Sequence, residues 1–252
     1  MSVNFLACAI GPLYESFLVP FTLFALEYSD DSFVEIVVAD SDRFKKAYAT
    51  ELAMLRKYHT EFKIRNFKHG IGVKHIANTY RFFEAPTVIK DYTYIPDIDI
   101  MYTSDVVDSH KNLWSLMGTL PYYNIVRNNY SENRLTGLHL VKTADYFTPE
   151  FIKVQEKHFK GDPRQHRKLN DEVVLYAMCK DYHGVPSREN QIRPIPGIHF
   201  SPNRGKGKRI HLLTYKSMES AFNAAEAKYP ELFSQRIFRT LSKSLRDDFH
   251  VV

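Results

Sequence analysis

The sequence predicts an α/β fold: a mixed, mostly parallel sheet flanked by helices and closed by a helical tail. Three observations carry this expectation. Short continuous apolar runs alternate with helical periodicity over the first hundred residues, the pattern of strand-helix units in a parallel sheet. Two segments with strand character end in or adjoin acidic triplets, Asp40-Ser41-Asp42 and Asp97-Ile98-Asp99, where open α/β sheets gather ligands at the carboxyl ends of their strands. The chain has 252 residues, 44% of them hydrophobic, enough for one sizeable core.

Taken in order, Val3 to Ile10 is an unbroken apolar run closed by Gly11-Pro12 and reads as a fully buried strand. Tyr14, Phe17, Leu18, Phe21 and Phe24 follow at helical spacing, with Pro20 expected to kink or break that helix. Val34 to Ala39 is a second strand, Arg43 to Lys57 a helix and Glu61 to Phe67 a third strand. Ile76 to Glu84 reads as a helix stopped by Pro86. Tyr92 to Ile95 and Ile98 to Tyr102 read as strand on either side of the Pro96-Asp97 turn. Leu135 to Val141 is a further strand, and Leu169 to Lys180 a helix whose start at Asn170-Asp171-Glu172 suits the positive end of the dipole. Pro186 to Lys208, rich in Pro, Gly, Arg and Lys, is expected to be a loop. Pro230 to Phe249 places Phe233, Ile237, Leu241 and Leu245 on one stripe among Arg236, Arg239, Lys243 and Arg246, a basic amphipathic helix.

Cys8 and Cys179 each sit in an apolar run and read as small core residues in a reducing compartment, not as a disulfide framework. The N-terminal run lacks a basic leader, and no uncharged stretch reaches spanning length, so a soluble, cytoplasmic protein is expected. Any membrane contact would be peripheral, through the basic terminal helix. The excess of Lys plus Arg over Asp plus Glu, 34 to 29, suits an anionic ligand.

The chemistry centres on Asp97-Ile98-Asp99. Two carboxylates at that spacing at a strand end can hold one divalent cation, Mn²⁺ or Mg²⁺, against a diphosphate. By chance, roughly one Asp-x-Asp is expected in a chain of this composition, so position decides between the two present. The later triplet follows three strand-helix units and is the expected metal site; Asp40, directly after the second strand, is placed to contact a base or ribose. His199, in a stretch running on to Arg204 and Lys206, can add imidazole nitrogen to a cation already held by carboxylates.

These pieces resemble the GT8-like retaining glycosyltransferases of the GT-A fold, the group that includes glycogenin and the bacterial galactosyltransferases of lipopolysaccharide assembly. The likeness spans roughly residues 3 to 210 and rests on Tyr80-Arg81-Phe82-Phe83-Glu84-Ala85-Pro86, on Asp97-x-Asp99 and on the His199 segment. It implies that Asp97, Asp99 and His199 ligate Mn²⁺ (or Mg²⁺), that Arg81 lies beside the donor sugar and diphosphate, and that Arg204 or Lys206 steadies the phosphates. Ala9, Ile10 and Tyr14 would hold the uracil of a UDP-sugar, with Ile98 completing the donor site. Asp171-Glu172 resembles the family's Asp-Gln pair near the donor sugar, with Glu172 where Gln is usual. Leu135-Thr136-Gly137 stands where the family has Asn-Ser-Gly, and the His199 segment lacks the usual Lys-Pro-Trp ending. The resemblance implies a nucleotide-sugar-binding catalytic domain over 1–215 with a helical extension, 216–252, packed on it. It also implies a nucleotide-sugar donor and a glycan or lipid-linked acceptor. Retention of configuration is the family's outcome; an inverting enzyme would need Asp145, Asp171 or Glu172 as base.

Two other readings use the same residues. A nucleotidyltransferase would employ the same carboxylates and metal, but no Gly-rich phosphate loop follows the first strand. A nucleic-acid-binding protein would fit the pI of about 9.0, but the basic residues form no reading motif, and nucleic acid is not the expected partner.

Overall fold

The computed structural model describes residues 1–70, 77–111, 113–129, 132–161, 170–189, 191–194, 197–200 and 216–249. The chain runs β1 (Val3–Cys8), α1 (Pro12–Glu15), α2 (Leu18–Tyr28), β2 (Ser32–Val38), α3 (Ser41–Ala47), α4 (Ala49–Arg56) and β3 (Phe62–Asn66). A 3₁₀ segment, Ala77–Phe83, leads to β4 (Tyr92–Ile95), β5 (Ile100–Tyr102) and α5 (Val106–Lys111). Next come β6 (Tyr122–Tyr123), the hairpin of β7 (Val126–Asn129) and β8 (Glu132–Leu135), β9 (His139–Lys142), α6 (Thr143–Tyr146), α7 (Pro149–Lys160) and α8 (Asp171–Tyr182). β10 (Gly197–His199), α9 (Lys216–Lys228), α10 (Pro230–Phe233) and α11 (Arg236–Phe249) complete it.

The main sheet has the order β3-β2-β1-β4-β9-β6. β1 lies parallel to both β2 and β4, and only β9 runs against its neighbours. This is the mixed, mostly parallel sheet that the alternating sequence predicts. β1 is buried along its whole length because helices cover both faces. Its residues divide between two cores: Val3, Phe5 and Ala7 pack with α2 and the C-terminal helices, while Leu6 and Cys8 pack with the 3₁₀ segment, α7 and α8. Both cysteines are free and buried.

Several local expectations change. Pro20 neither kinks nor breaks α2, since it lies in the first turn, where a missing N–H leaves no bond unmade. The interruption falls earlier, at Ser16-Phe17. Residues 77–83 wind as 3₁₀, not α. The single strand expected from Leu135 to Val141 is two, β8 and β9, parted at Thr136-Gly137. The expected loop from Pro186 to Lys208 contains β10, which pairs antiparallel with β5. The apolar stripe of α11 packs against the domain: Phe238, Leu241 and Leu245 are buried, and Arg236, Arg239, Lys243 and Arg246 remain exposed. Among the described residues no helix is long and apolar enough to cross a membrane.

Two interior histidines make the fold sensitive to acid. His110 donates from Nδ1 to the Val106 carbonyl at 2.6 Å, and burial pushes its pKa down to about 4. His139 accepts at Nδ1 from the Asn124 amide at 3.0 Å, and burial pushes its pKa down to about 3. Both stay neutral in the folded chain while the unfolded chain protonates near 6.5, so the unfolded state binds more protons as pH falls and stability falls with it. Between pH 7 and 5.5 the pair is expected to lower the unfolding free energy by about 2.5 kcal/mol, readable by urea denaturation. An unchanged midpoint over that interval would mean that both rings can take up a proton without unfolding.

Candidate active site

The cleft opens at the carboxyl ends of β1 and β4. Cys8, Ala9, Ile10 and Tyr14 form one wall, Ala77, Asn78 and Arg81 a second, and Asp97, Ile98, Asp99 and His199 the floor, enclosing about 170 Å³. Gly11, with φ of +88°, lets the chain turn sharply out of β1 into α1, which sets Tyr14 over the cleft.

Arg81 organises the floor. Its Nη1 donates to Asp97 Oδ1 and to the Pro96 carbonyl, both at 2.6 Å, and its Nη2 donates to Asp171 Oδ2 at 2.8 Å. Burial works against the buried cation, but Asp97 and Asp171 more than offset it and hold its pKa above the usual arginine value. In turn, Asp97, which burial alone would raise, is held below the ordinary carboxylate range by Arg81, with His199 and Arg193 adding to the effect.

Asp171 and Glu172 open α8, whose cap is the Asn170 side chain accepting from the Glu172 N–H at 2.9 Å. Glu172 Oε1 accepts from the Gly137 N–H at 3.3 Å, and Oε2 lies 3.0 Å from Arg134 Nη1. Burial raises the Glu172 pKa, with Arg134 opposing and the charges of Asp171 and Asp97 reinforcing. The carboxylate of Asp97 lies against the Cα of Gly137, where a Cβ would stand 2.3 Å from Oδ1. Asn124 holds that corner: its Oδ1 accepts from the Thr136 N–H at 2.8 Å and its Nδ2 donates to the Thr136 carbonyl at 2.9 Å.

β10 brings in the histidine. His199 pairs in register with Ile100, which places its Nε2 3.3 Å from Asp99 Oδ1. Burial disfavours the imidazolium, but Asp99 and Asp97 overcome it and raise the His199 pKa. Gly197 makes the pairing possible, since a Cβ there would meet the Met101 carbonyl oxygen at 2.2 Å.

The structure therefore gathers Ala9, Ile10, Tyr14, Arg81, Asp97, Ile98, Asp99 and His199 around one cleft and links Asp171 and Glu172 to its floor. Asp40 does not line it; it caps α3, accepting from the N–H groups of Asp42 and Arg43 at 3.1 and 2.9 Å. Arg204 and Lys206 lie outside the described residues. Among the described residues no three His, Cys, Asp or Glu side chains cluster closely enough to cage a metal by themselves. Asp99 and His199 touch, while Asp97 turns to Arg81. Sequence reasoning missed Asn78, Asn124 and Arg134; each sits in an irregular segment or hairpin without periodicity to single it out.

No family model and no curated protein matches the sequence. Among solved structures, the galactosyltransferase LgtC in complex with donor and acceptor sugar analogs matches with a TM-score of 0.52 at 15% identity, covering 90% of this chain and 96% of LgtC. An LgtC active-site mutant with Glu in place of Gln gives 0.50 at 14% identity, covering 93% and 95%. The apo glycosyltransferase GlyE of Streptococcus pneumoniae TIGR4 gives 0.46 at 15% identity over 73% of this chain and 44% of GlyE, so the chain spans less than half of that protein. The likeness to LgtC shows a shared fold, the mixed, mostly parallel sheet flanked by helices that the sequence predicts.

Gly137→Ala is expected to cost about 1–3 kcal/mol, because its methyl must displace the Asp97 carboxylate. In an Asp97→Ala background the same change is expected to cost at least about 1 kcal/mol less, a coupling that a double-mutant cycle by thermal or urea unfolding reads directly. Equal costs in both backgrounds would show that the corner adjusts without Asp97.

Proposed function

We propose that this cleft binds a nucleoside diphosphate sugar, a UDP-sugar by preference, together with Mn²⁺ or Mg²⁺, and transfers the sugar to a glycan or lipid-linked acceptor. The observation that carries the reading is the meeting of Asp99 and His199, drawn from segments a hundred residues apart, on a fold shared with a galactosyltransferase solved with donor and acceptor sugar analogs.

The residues fit a metal of this kind. Asp99 Oδ1 and His199 Nε2 stand 3.3 Å apart, so one divalent cation could draw on both. A carboxylate and an imidazole are donor types that suit Mn²⁺. Asp99 and His199 would hold the ion, with Asp97 beside them. When bound, the ion stabilises negative charge on the departing nucleoside diphosphate.

The chain's own groups do the rest. Tyr14 offers an aromatic face to the base, next to the Ala9-Ile10 backbone. Arg81 fixes Asp97 and Asp171 so that neither must reorganise when charge develops between them. Glu172 supplies a carboxylate at the start of α8, where the resembling family uses Gln; LgtC itself has been solved with an active-site Gln changed to Glu. Paired with Arg134 and raised by burial, Glu172 is placed to stabilise positive charge developing at the sugar or to act as base or nucleophile. Retention of configuration is the outcome this reading expects.

Calorimetric titration with UDP tests the proposal. Binding is expected only with Mn²⁺ or Mg²⁺ present, and Asp99→Ala is expected to weaken it by at least about tenfold, a loss of about 1.4 kcal/mol. Metal-independent binding of equal strength in both proteins would refute the reading. Turnover that releases pyrophosphate instead of UDP would transfer it to the nucleotidyltransferases.

A further inference from the structure

The β7–β8 hairpin carries a charge arrangement that the reaction above uses only through the pairing of Arg134 with Glu172. Arg127 and Arg134 are register partners across the antiparallel pair, so their side chains leave the same face side by side. Like charges directly opposite one another destabilise a hairpin. Arg134 is only partly compensated: one guanidinium nitrogen faces Glu172, while its Nε is buried without a hydrogen-bond partner. Arg127 has no hydrogen bond or ion pair among the described residues, only the longer-range attraction of Glu172. Arg193 stands within electrostatic reach of Arg127 and also of Asp97 and His199.

Among the described residues Arg127 and Arg134 thus share one carboxylate, Glu172, at the edge of the cleft, with Arg193 a third guanidinium nearby. The ordinary account, charge left in bulk water, fits poorly because all three side chains are partly buried. Burial and mutual repulsion also depress the Arg127 pKa against the pull of Glu172. Half-desolvated cations facing each other lose hydration without gaining a partner. Paired guanidinium forks match the planar oxygens of a carboxylate or the oxygens of a phosphate.

We propose that Arg127 and Arg134 recognise an anionic substituent, a carboxylate or a phosphate, on a sugar bound beside Glu172. The inference rests on the glycosyltransferase reading, and the anion belongs to the transferred sugar or to the acceptor. A neutral hexose would leave the arginine pair uncompensated; a uronic acid or sugar phosphate would complete it.

The test measures binding to the intact chain, with Mn²⁺, of matched neutral and charged probes: UDP-glucose against UDP-glucuronic acid, and methyl glucoside against methyl glucuronide and glucose 6-phosphate. The charged member of at least one set is expected to bind about tenfold or more tightly than its neutral counterpart. Preference among the UDP-sugars assigns the anion to the donor; preference among the free sugars, measured with UDP present, assigns it to the acceptor. Arg127→Gln is expected to erase the preference and to raise the thermal unfolding midpoint, because it relieves the repulsion; an arginine kept for structure would lower it. Equal binding of neutral and charged probes overturns the proposal. So does a loss of affinity in Arg127→Gln that is the same for UDP alone, which would assign the arginines to the diphosphate. Metal-dependent UDP binding without any anion preference sinks this inference and leaves the functional reading standing. An anion preference without UDP binding does the reverse.

Discussion

The buried guanidinium of Arg81 is the constraint on which the floor of the cleft depends. It joins three elements that are distant in sequence: the 3₁₀ segment that carries it, the turn after β4 and the first residues of α8. A buried arginine is tolerable only when its donors are answered by carboxylates and carbonyls in good geometry. Asp97, Asp171 and the Pro96 carbonyl supply this, and the Phe82 ring lies 4.6 Å beneath the guanidinium. Each carboxylate is thereby fixed before any ligand arrives. Gly137 closes the arrangement from the other side, its missing side chain admitting the Asp97 carboxylate.

The second half of the floor is held by a different force. His199 reaches Asp99 because β10 pairs with β5, and β10 is kept there by its apolar neighbours. Ile198 and Phe200 are buried in the core shared with α2 and the C-terminal helices. Phe200 packs against Phe222 of α9, which stacks on Phe24 of α2 at 5.2 Å. The tail helices thus act on the site without touching it: they bury the residues flanking the histidine. The amphipathic stripe of α11 belongs to the same work, with Phe238 against Phe233.

This division explains what the sequence could reveal. β1, β2 and α8 were legible because burial on both faces of a parallel sheet, or a cap with two acids, leaves a local pattern. The Asp97-x-Asp99 triplet was legible because it lies at a strand end after three strand-helix units. β10 was not, because three residues between Pro-rich and basic stretches carry no periodicity, and their pairing is decided by Gly197 and by a strand almost a hundred residues away. The Leu135 to Val141 run was read as one strand because its apolar residues are continuous; the break at Thr136-Gly137 is imposed by Asn124 and Asp97, which periodicity cannot see. Pro20 misled for the opposite reason, since its effect depends on where the helix starts, and that is set by the turn at Ser16-Phe17.

The electrostatics of the cleft have one further consequence. Along its floor, Asp97, Asp171 and Asp99 lie against Arg81 and His199, with Arg193 acting on Asp97 from further off, so carboxylates gather where the proposed cation would sit. Along the hairpin, Arg127 and Arg134 share Glu172 among the described residues, so the proposed anion would relieve an excess of the opposite sign. Asp171 and Glu172, adjacent at the start of α8, divide between floor and hairpin: one turns to Arg81, the other to Arg134. The helix N-terminus steadies both carboxylates, so neither needs to share its partner's cation. Frustration of this kind lowers stability, and the proposed cation and anionic sugar would relieve it from the two sides.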